Sequence, residues 1–236
     1  MTDHTFLGNR LRNPARILAT AAILAGVIIS TSACGVISPK TEPTPEPVPT
    51  IVWQDGAPTG ELESNEYVQV LRKALPAMAA AHNQRNYTLP EAYETIGYPD
   101  LANQASTAKW ELNRDAPFLI YPGPRPFTPL TVEKGWMTDD GQEIHVIGCQ
   151  IDNWASEEGT VPEKPIRVLG AIYGFTEVEG GLKLTSRISK PGLDCEGVDI
   201  KVGVFDPAPT PSTVSDATSV IKPVLPSKRG TATPTP

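Results

Sequence analysis

Histidine and cysteine are scarce in this chain, three of each among 236 residues, and that scarcity limits its chemistry. Only His82 and His145 lie beyond the N-terminal segment. Neither Cys149 nor Cys195 sits in a CxxC pair, so a zinc site of ordinary spacing lacks ligands. Several motifs of common catalytic centres are missing too: no GxSxG elbow, no HExxH, no P-loop and no Rossmann glycine fingerprint. No cofactor is implied. Basic charge is also short. The formal net charge is −7, and residues 1–33 carry +2 of it (Arg10, Arg12 and Arg16 against Asp3), which leaves −9 for the remainder. Such a chain is a poor partner for nucleic acid and has no broad footprint for anionic lipid.

What is present is concentrated near the start. The three arginines precede an uninterrupted apolar run over 17–29, which ends in Ser30-Thr31-Ser32-Ala33-Cys34. A basic region, an apolar core of this length and a small-residue exit are the parts of a secretory signal peptide. The cysteine after small residues resembles the lipobox of bacterial lipoproteins, with Thr31 where that family usually carries Leu. The resemblance implies cleavage before Cys34, a diacylglycerol on its sulfur and attachment to the outer face of the cell membrane. Two other readings remain. A spanning helix needs about 20 apolar residues, so 17–33 is only marginally long enough for an uncleaved anchor. Plain secretion would leave Cys34 as a free thiol, a liability in an oxidising compartment. All three readings place the rest of the chain outside the cytoplasmic membrane, because the arginines hold the N-terminus inside.

Large apolar side chains are few in two flanks. Residues 39–50 and 206–236 are rich in Pro, Thr and Ser, whereas fourteen of the fifteen aromatic residues lie between Trp53 and Phe205. Segments poor in large apolar groups cannot offset the cost of ordering a chain. The expected organisation is a signal at 1–33, a linker at 34–50, one domain at 51–205 and a disordered tail at 206–236. With Cys34 assigned to lipid, Cys149 and Cys195 are most simply one disulfide of an exported chain. Its long loop is worth roughly 4 kcal/mol in the chain-entropy account. A metal site competes poorly with it.

Inside the domain the periodicity changes once. Ser64 can cap a helix to about Gln84, with Tyr67, Val70, Leu71, Ala74, Leu75, Met78 and Ala81 on one face, and Pro76 should kink or split it. Thr88 and Glu91 have capping-box spacing for a short helix ending at Gly97, and Asp100 can cap a third. Strand signals follow: a short piece at 118–121, a hairpin of 130–137 with 143–151 around Asp139-Asp140-Gly141, and a second of 166–178 with 182–188 around Gly180-Gly181. Val198, Ile200, Val202 and Val204 alternate as an edge strand would. Helices followed by strands predict an α+β fold with the helices packed on a curved sheet.

That order resembles the nuclear transport factor 2-like (cystatin-like) cone. More narrowly, four pieces resemble a family of exported lipoproteins of high-GC Gram-positive bacteria. They are the Val146-Ile147-Gly148-Cys149 strand, the strand ending in Tyr173, Gly180-Gly181-Leu182-Lys183-Leu184, and Gly192-Leu193-Asp194-Cys195. The family usually has Trp after the last hairpin turn, where Leu182 and Leu184 stand here. The resemblance implies a Cys149–Cys195 disulfide and a role in the envelope without an assigned activity.

The cone encloses a cavity that some members of the fold use for isomerase or dehydratase chemistry, so a catalytic reading has to be weighed. His145, Asp152, Asp100 and Tyr93 are its candidates. On an extended strand His145 and Asp152 are about 23 Å apart and cannot pair. A lone His sharing a strand face with Ile147 and Cys149 reads as structural. The expectation is therefore no catalytic residue and a binding or structural role, its partner an envelope protein or a small ligand. The rival enzyme would need at least two polar side chains converging in the cavity. An importer's solute receptor ranks lower, for want of a two-lobed cleft.

The anchor is directly testable. The native protein should have lost residues 1–33, gained the mass of a lipid and partitioned with membranes, and Cys34→Ala should abolish all three. A retained N-terminus in the mass spectrum would mean a spanning helix instead.

Overall fold

The computed structural model describes residues 44–114, 116–139, 141–163, 167–178 and 180–225. Cys34, the apolar run before it and residues 226–236 lie outside them. The described elements are strand β1 (Thr50–Trp53), helices α1 (Glu66–Gln84), α2 (Pro90–Thr95) and α3 (Tyr98–Leu112), then strands β2 (Phe127–Thr138), β3 (Gly141–Ile151), β4 (Val168–Val178), β5 (Gly181–Ser189) and β6 (Gly203–Asp206). The fold is α+β. Four antiparallel strands run in the order β2-β3-β4-β5, and β1 pairs separately with β6.

The buried stripe of α1 accounts for its position. Val68, Leu71, Leu75 and Met78 recur at three- and four-residue spacing, with Ala74, Ala77 and Ala81 beside them, and all are buried. Asn65, not Ser64, caps the helix: its Oδ1 accepts from Tyr67 N at 3.0 Å. The helix also runs unbroken through Pro76 for 19 residues. An interior proline costs about 3 kcal/mol. Splitting the helix there would unseat buried side chains on both sides, and that outweighs the cost.

Arg85 ends α1 in the left-handed region at φ 52. A non-glycine residue pays about 1 kcal/mol for that conformation. Its side chain supplies the compensation: 1% exposed, it donates from Nη1 to Ala108 O of α3 at 2.8 Å and lies 4.1 Å from the Phe118 ring centroid. The capping box does not form, since Thr88 Oγ1 donates to Asn86 Oδ1 at 2.7 Å and Leu89 stands at the cap without a side-chain bond. Gly97 opens α3 directly, so Asp100 falls in its first turn.

Both hairpins form where the turn residues place them. Register shifts between Pro129 and Thr131, Lys134 and Met137, and Gly174 and Phe175 interrupt the pairing. The piece at 118–121 contributes only a bridge, Ile120 with Ser156. Val146 pairs with Tyr173, which pairs with Arg187, and this register sets the helix-facing side. Val146, Ala171, Tyr173, Phe175 and Leu184 join the helical stripes there in one core. Glu143, His145, Ile147 and Cys149 occupy the other side and are buried as well. A Cys149–Cys195 disulfide, with Cα atoms 5.7 Å apart, holds the segment after β5 against that side. Gly170 is the point of closest approach, where any Cβ would overlap the Leu193 side chain.

The packed chain extends past Phe205, where the composition predicted a tail. Ile221 N donates to Arg85 O at 3.1 Å, and Tyr87 N donates to Ile221 O at 2.9 Å, so 220–222 lies beside the end of α1. Val224 N is bonded by the Tyr93 hydroxyl, and Val220 is 4% exposed within the core. The linker joins from the other side, Glu46 N donating to Gln84 Oε1 at 3.0 Å. A few apolar anchors and backbone bonds order a segment that its Pro and Thr content alone would leave free. Val220→Ala should therefore cost about 2 kcal/mol in urea unfolding, while Val224→Ala, at a side chain 72% exposed, should cost almost nothing.

Candidate functional site

The residues that the sequence nominated for chemistry end in separate places. His145 lies on the side of the sheet away from the helices, with Nε2 2.9 Å from Glu143 Oε2 and its ring edge-on to Trp136 at 4.3 Å. Glu143 Oε1 accepts from Ser186 Oγ at 2.7 Å and from Thr185 Oγ1 at 3.2 Å. This cluster is buried and hydrogen-bonded within itself. Asp152 pairs with Arg167 and lies 3.9 Å from Arg125. Asp100 accepts from Gln104 Nε2 at 2.6 Å, and burial raises its carboxyl pKa above the usual range. Tyr93 bonds Val224 at the edge. Among the described residues, no hydrogen bond or ion pair joins any two of His145, Asp152, Asp100 and Tyr93.

A different set converges. Between α1, α3 and the helix-facing side of the sheet lies a cavity of about 130 Å³. Leu75, Met78, Ala79 and His82 line it from α1, Tyr87 from just beyond, and Asn103, Gln104, Thr107 and Glu111 from α3. Tyr121 and Arg125, ahead of β2, and Arg187 of β5 complete the wall. Helical spacing puts Leu75, Met78, Ala79 and His82 on one face at offsets of three, four and seven. Strand register puts Arg187 beside Tyr173. The lining is thus an apolar patch from α1 facing polar groups from four other pieces of chain.

Arg125 is tied down by donating from Nη1 to Ile151 O at 3.2 Å and Asp152 O at 2.6 Å, and from Nη2 to the Tyr121 hydroxyl at 3.1 Å. Those bonds use three of its five N–H groups. Arg187 is exposed at the rim and forms no ion pair or side-chain hydrogen bond among the described residues. Glu111, across the cavity, lies 3.8 Å from Arg85.

Two groups define the interior. His82 Nε2 lies 3.0 Å from Leu119 O, a carbonyl that only accepts, so this nitrogen carries the proton. Burial, with added repulsion from Arg85, Arg125 and Arg187, pushes its pKa down to about 4, against the raising effect of the Leu119 bond. His82 is consequently neutral at physiological pH. Tyr87 is fully buried, burial raises its pKa, and its hydroxyl has no hydrogen-bond partner. A buried donor without a partner is rare and costly. No three of His, Cys, Asp and Glu among the described residues form a metal-binding group. No helix among them is long and apolar enough to cross a membrane.

Of this set the sequence carried one readable signal. His82 lies seven residues after Leu75, on the apolar face of a helix, which is an unusual place for a polar group. Arg187 was hidden, because the bulge at Gly174 and Phe175 shifts the parity of β5.

No family model matches the chain, and no curated protein matches it. Among solved structures, it is similar to the intermembrane space region of chloroplast protein ARC6, at 14% identity, with 56% of this chain and 98% of that chain covered. The TM-score is 0.29, too low to carry an argument about fold or activity.

The depressed histidine gives a pH test. Between pH about 6.5, the ordinary value, and about 4, the unfolded chain binds a proton at residue 82 that the folded chain refuses. Stability contributed there is full above that window and is lost as pH falls through it. His82→Gln keeps a donor for the Leu119 carbonyl and cannot titrate in this range. Its unfolding free energy should fall less steeply than wild type from pH 6.5 to 4, and identical slopes would contradict the assignment.

Proposed function

We propose that this is a lipid-anchored, extracytoplasmic binding protein whose domain takes a small ligand in the cavity between α1, α3 and the sheet. The arginines, the apolar run and Cys34 support the anchor, and 34–50 then serves as a stalk. The Cys149–Cys195 disulfide suits an oxidising compartment. We read the domain as a nuclear transport factor 2-like cone, supported by the order of helices and strands.

The observation that carries the binding reading is the cavity itself, where Arg125 and Arg187 share one space with an apolar wall of Leu75, Met78 and Ala79. An enzyme built on the same cavity is the second reading, favoured by the convergence of His82, Tyr121 and Arg125 there. It is the weaker one. A histidine with a pKa of about 4 is a feeble general base at neutral pH, and no carboxylate is bonded to its ring.

The chain has three methionines, Met1, Met78 and Met137. Met78 lines the cavity at 7% exposure and Met137 is 72% exposed on β2. In full-length protein labelled with [methyl-13C]methionine, some fragments of a mixed neutral and anionic set should shift the Met78 signal and leave Met137 in place. Ala79→Leu, which fills the cavity, should abolish those shifts. If no fragment moves Met78 selectively, the binding reading is wrong.

A further inference from the structure

We propose that the ligand is a small organic carboxylate, its anionic end held by Arg125 and Arg187 and its apolar body seated on Leu75 and Met78. This rests on the binding reading above and narrows it.

Charge decides the sign of the ligand. Arg125 and Arg187 both face the space. Of the nearby carboxylates, Glu111 also lines the wall but is paired with Arg85. Asp152 lies 3.9 Å from Arg125 while making its shorter ion pair to Arg167. Asp100 faces Arg187 and is bonded to Gln104. The neighbouring imidazole, His82, adds no charge of its own and is itself disfavoured as a cation by three arginines. A cationic ligand would meet two guanidinium groups. A neutral one would cover them while giving little in return, and desolvation of unpaired polar groups is costly. A carboxylate accepts from both arginines, and planar guanidinium groups match its geometry.

Volume decides the size. The cavity measures about 130 Å³, well below the roughly 300–1,000 Å³ of drug-sized pockets and near the roughly 150 Å³ that admits benzene. One ring or a short chain fits beyond the carboxylate. The wall that receives it is apolar, since Leu75, Met78 and Ala79 all come from the buried stripe of α1. Inorganic anions would satisfy the donors but leave that wall unfilled.

Benzoate, its neutral isostere benzamide, and inorganic phosphate separate these possibilities. In the full-length labelled protein, benzoate should shift Met78 saturably and benzamide should bind at least about tenfold more weakly, the scale of one charge-assisted hydrogen-bonded pair. Arg187→Gln removes an exposed rim side chain that makes no ion pair or side-chain hydrogen bond among the described residues. It should weaken benzoate about tenfold, with benzamide, Met137 and the melting temperature unchanged. Equal affinity for benzamide, indifference to Arg187→Gln, or phosphate binding as tightly as benzoate would each overturn the proposal. Should neutral fragments move Met78 while benzoate does not, the carboxylate inference falls and the binding reading stands. If nothing moves Met78, both fall.

Discussion

The helical layer depends on one buried cation. Arg85 is 1% exposed, yet its guanidinium joins the end of α1 to Ala108 O of α3, approaches Glu111 at 3.8 Å and covers the Phe118 ring. Its carbonyl accepts from Ile221 N, so the returning chain is tied to the same residue. A charge in that position is stable only while its partners are in place, and losing one of them leaves a desolvated ion. The left-handed backbone at residue 85 is the local cost of aiming the side chain inward. Tyr87 follows two residues later, held by its own bond to Ile221 O. The position of the orphan hydroxyl is therefore a consequence of how Arg85 is seated.

The two sides of the sheet use polar residues in opposite ways. Away from the helices, Glu143 is enclosed by His145, Ser186 and Thr185, and a Cβ at Gly174 would overlap its carboxylate. Serine, histidine and glutamate together suggest catalysis, but here the carboxylate lies between the other two and all are closed in. Fully bonded buried networks of this kind specify packing. Toward the helices the polar groups are incompletely used. Arg125 has donors to spare, Arg187 is unengaged among the described residues, and Tyr87 is unpartnered. Chemical vocabulary pointed to the first side, whereas hydrogen-bond accounting points to the second.

Local patterns in the sequence were legible and long-range ones were not. The hairpins at 139–141 and 180–181 declared themselves, because turn residues and two-residue alternation are neighbours in the chain. The stripe of α1 was equally plain, although its passage through Pro76 depends on tertiary burial that no propensity reports. The Cys149–Cys195 pair followed from counting. By contrast, β1 is four residues whose partner β6 lies about 150 positions later, and nothing local marks Thr50–Trp53 as a strand. Residues 207–225 were read from their composition as free, while their order comes from Val220, Ile221 and a few backbone bonds. The cavity was the least legible feature, since it is assembled from separate pieces and from a β5 parity set by a bulge.

The pairing of β1 with β6 has a mechanical consequence. Thr50 lies opposite Asp206, so the chain enters and leaves this two-stranded sheet at the same end. A tension arriving along the segment before Thr50 meets the paired strands as the two halves of a zipper, loading their hydrogen bonds one after another and not all in shear. The pair of hydrogen bonds between Glu46 and Gln84, at 3.0 and 2.8 Å, stands ahead of them. These contacts can release in sequence, apart from the four-stranded sheet and its covalent Cys149–Cys195 clasp.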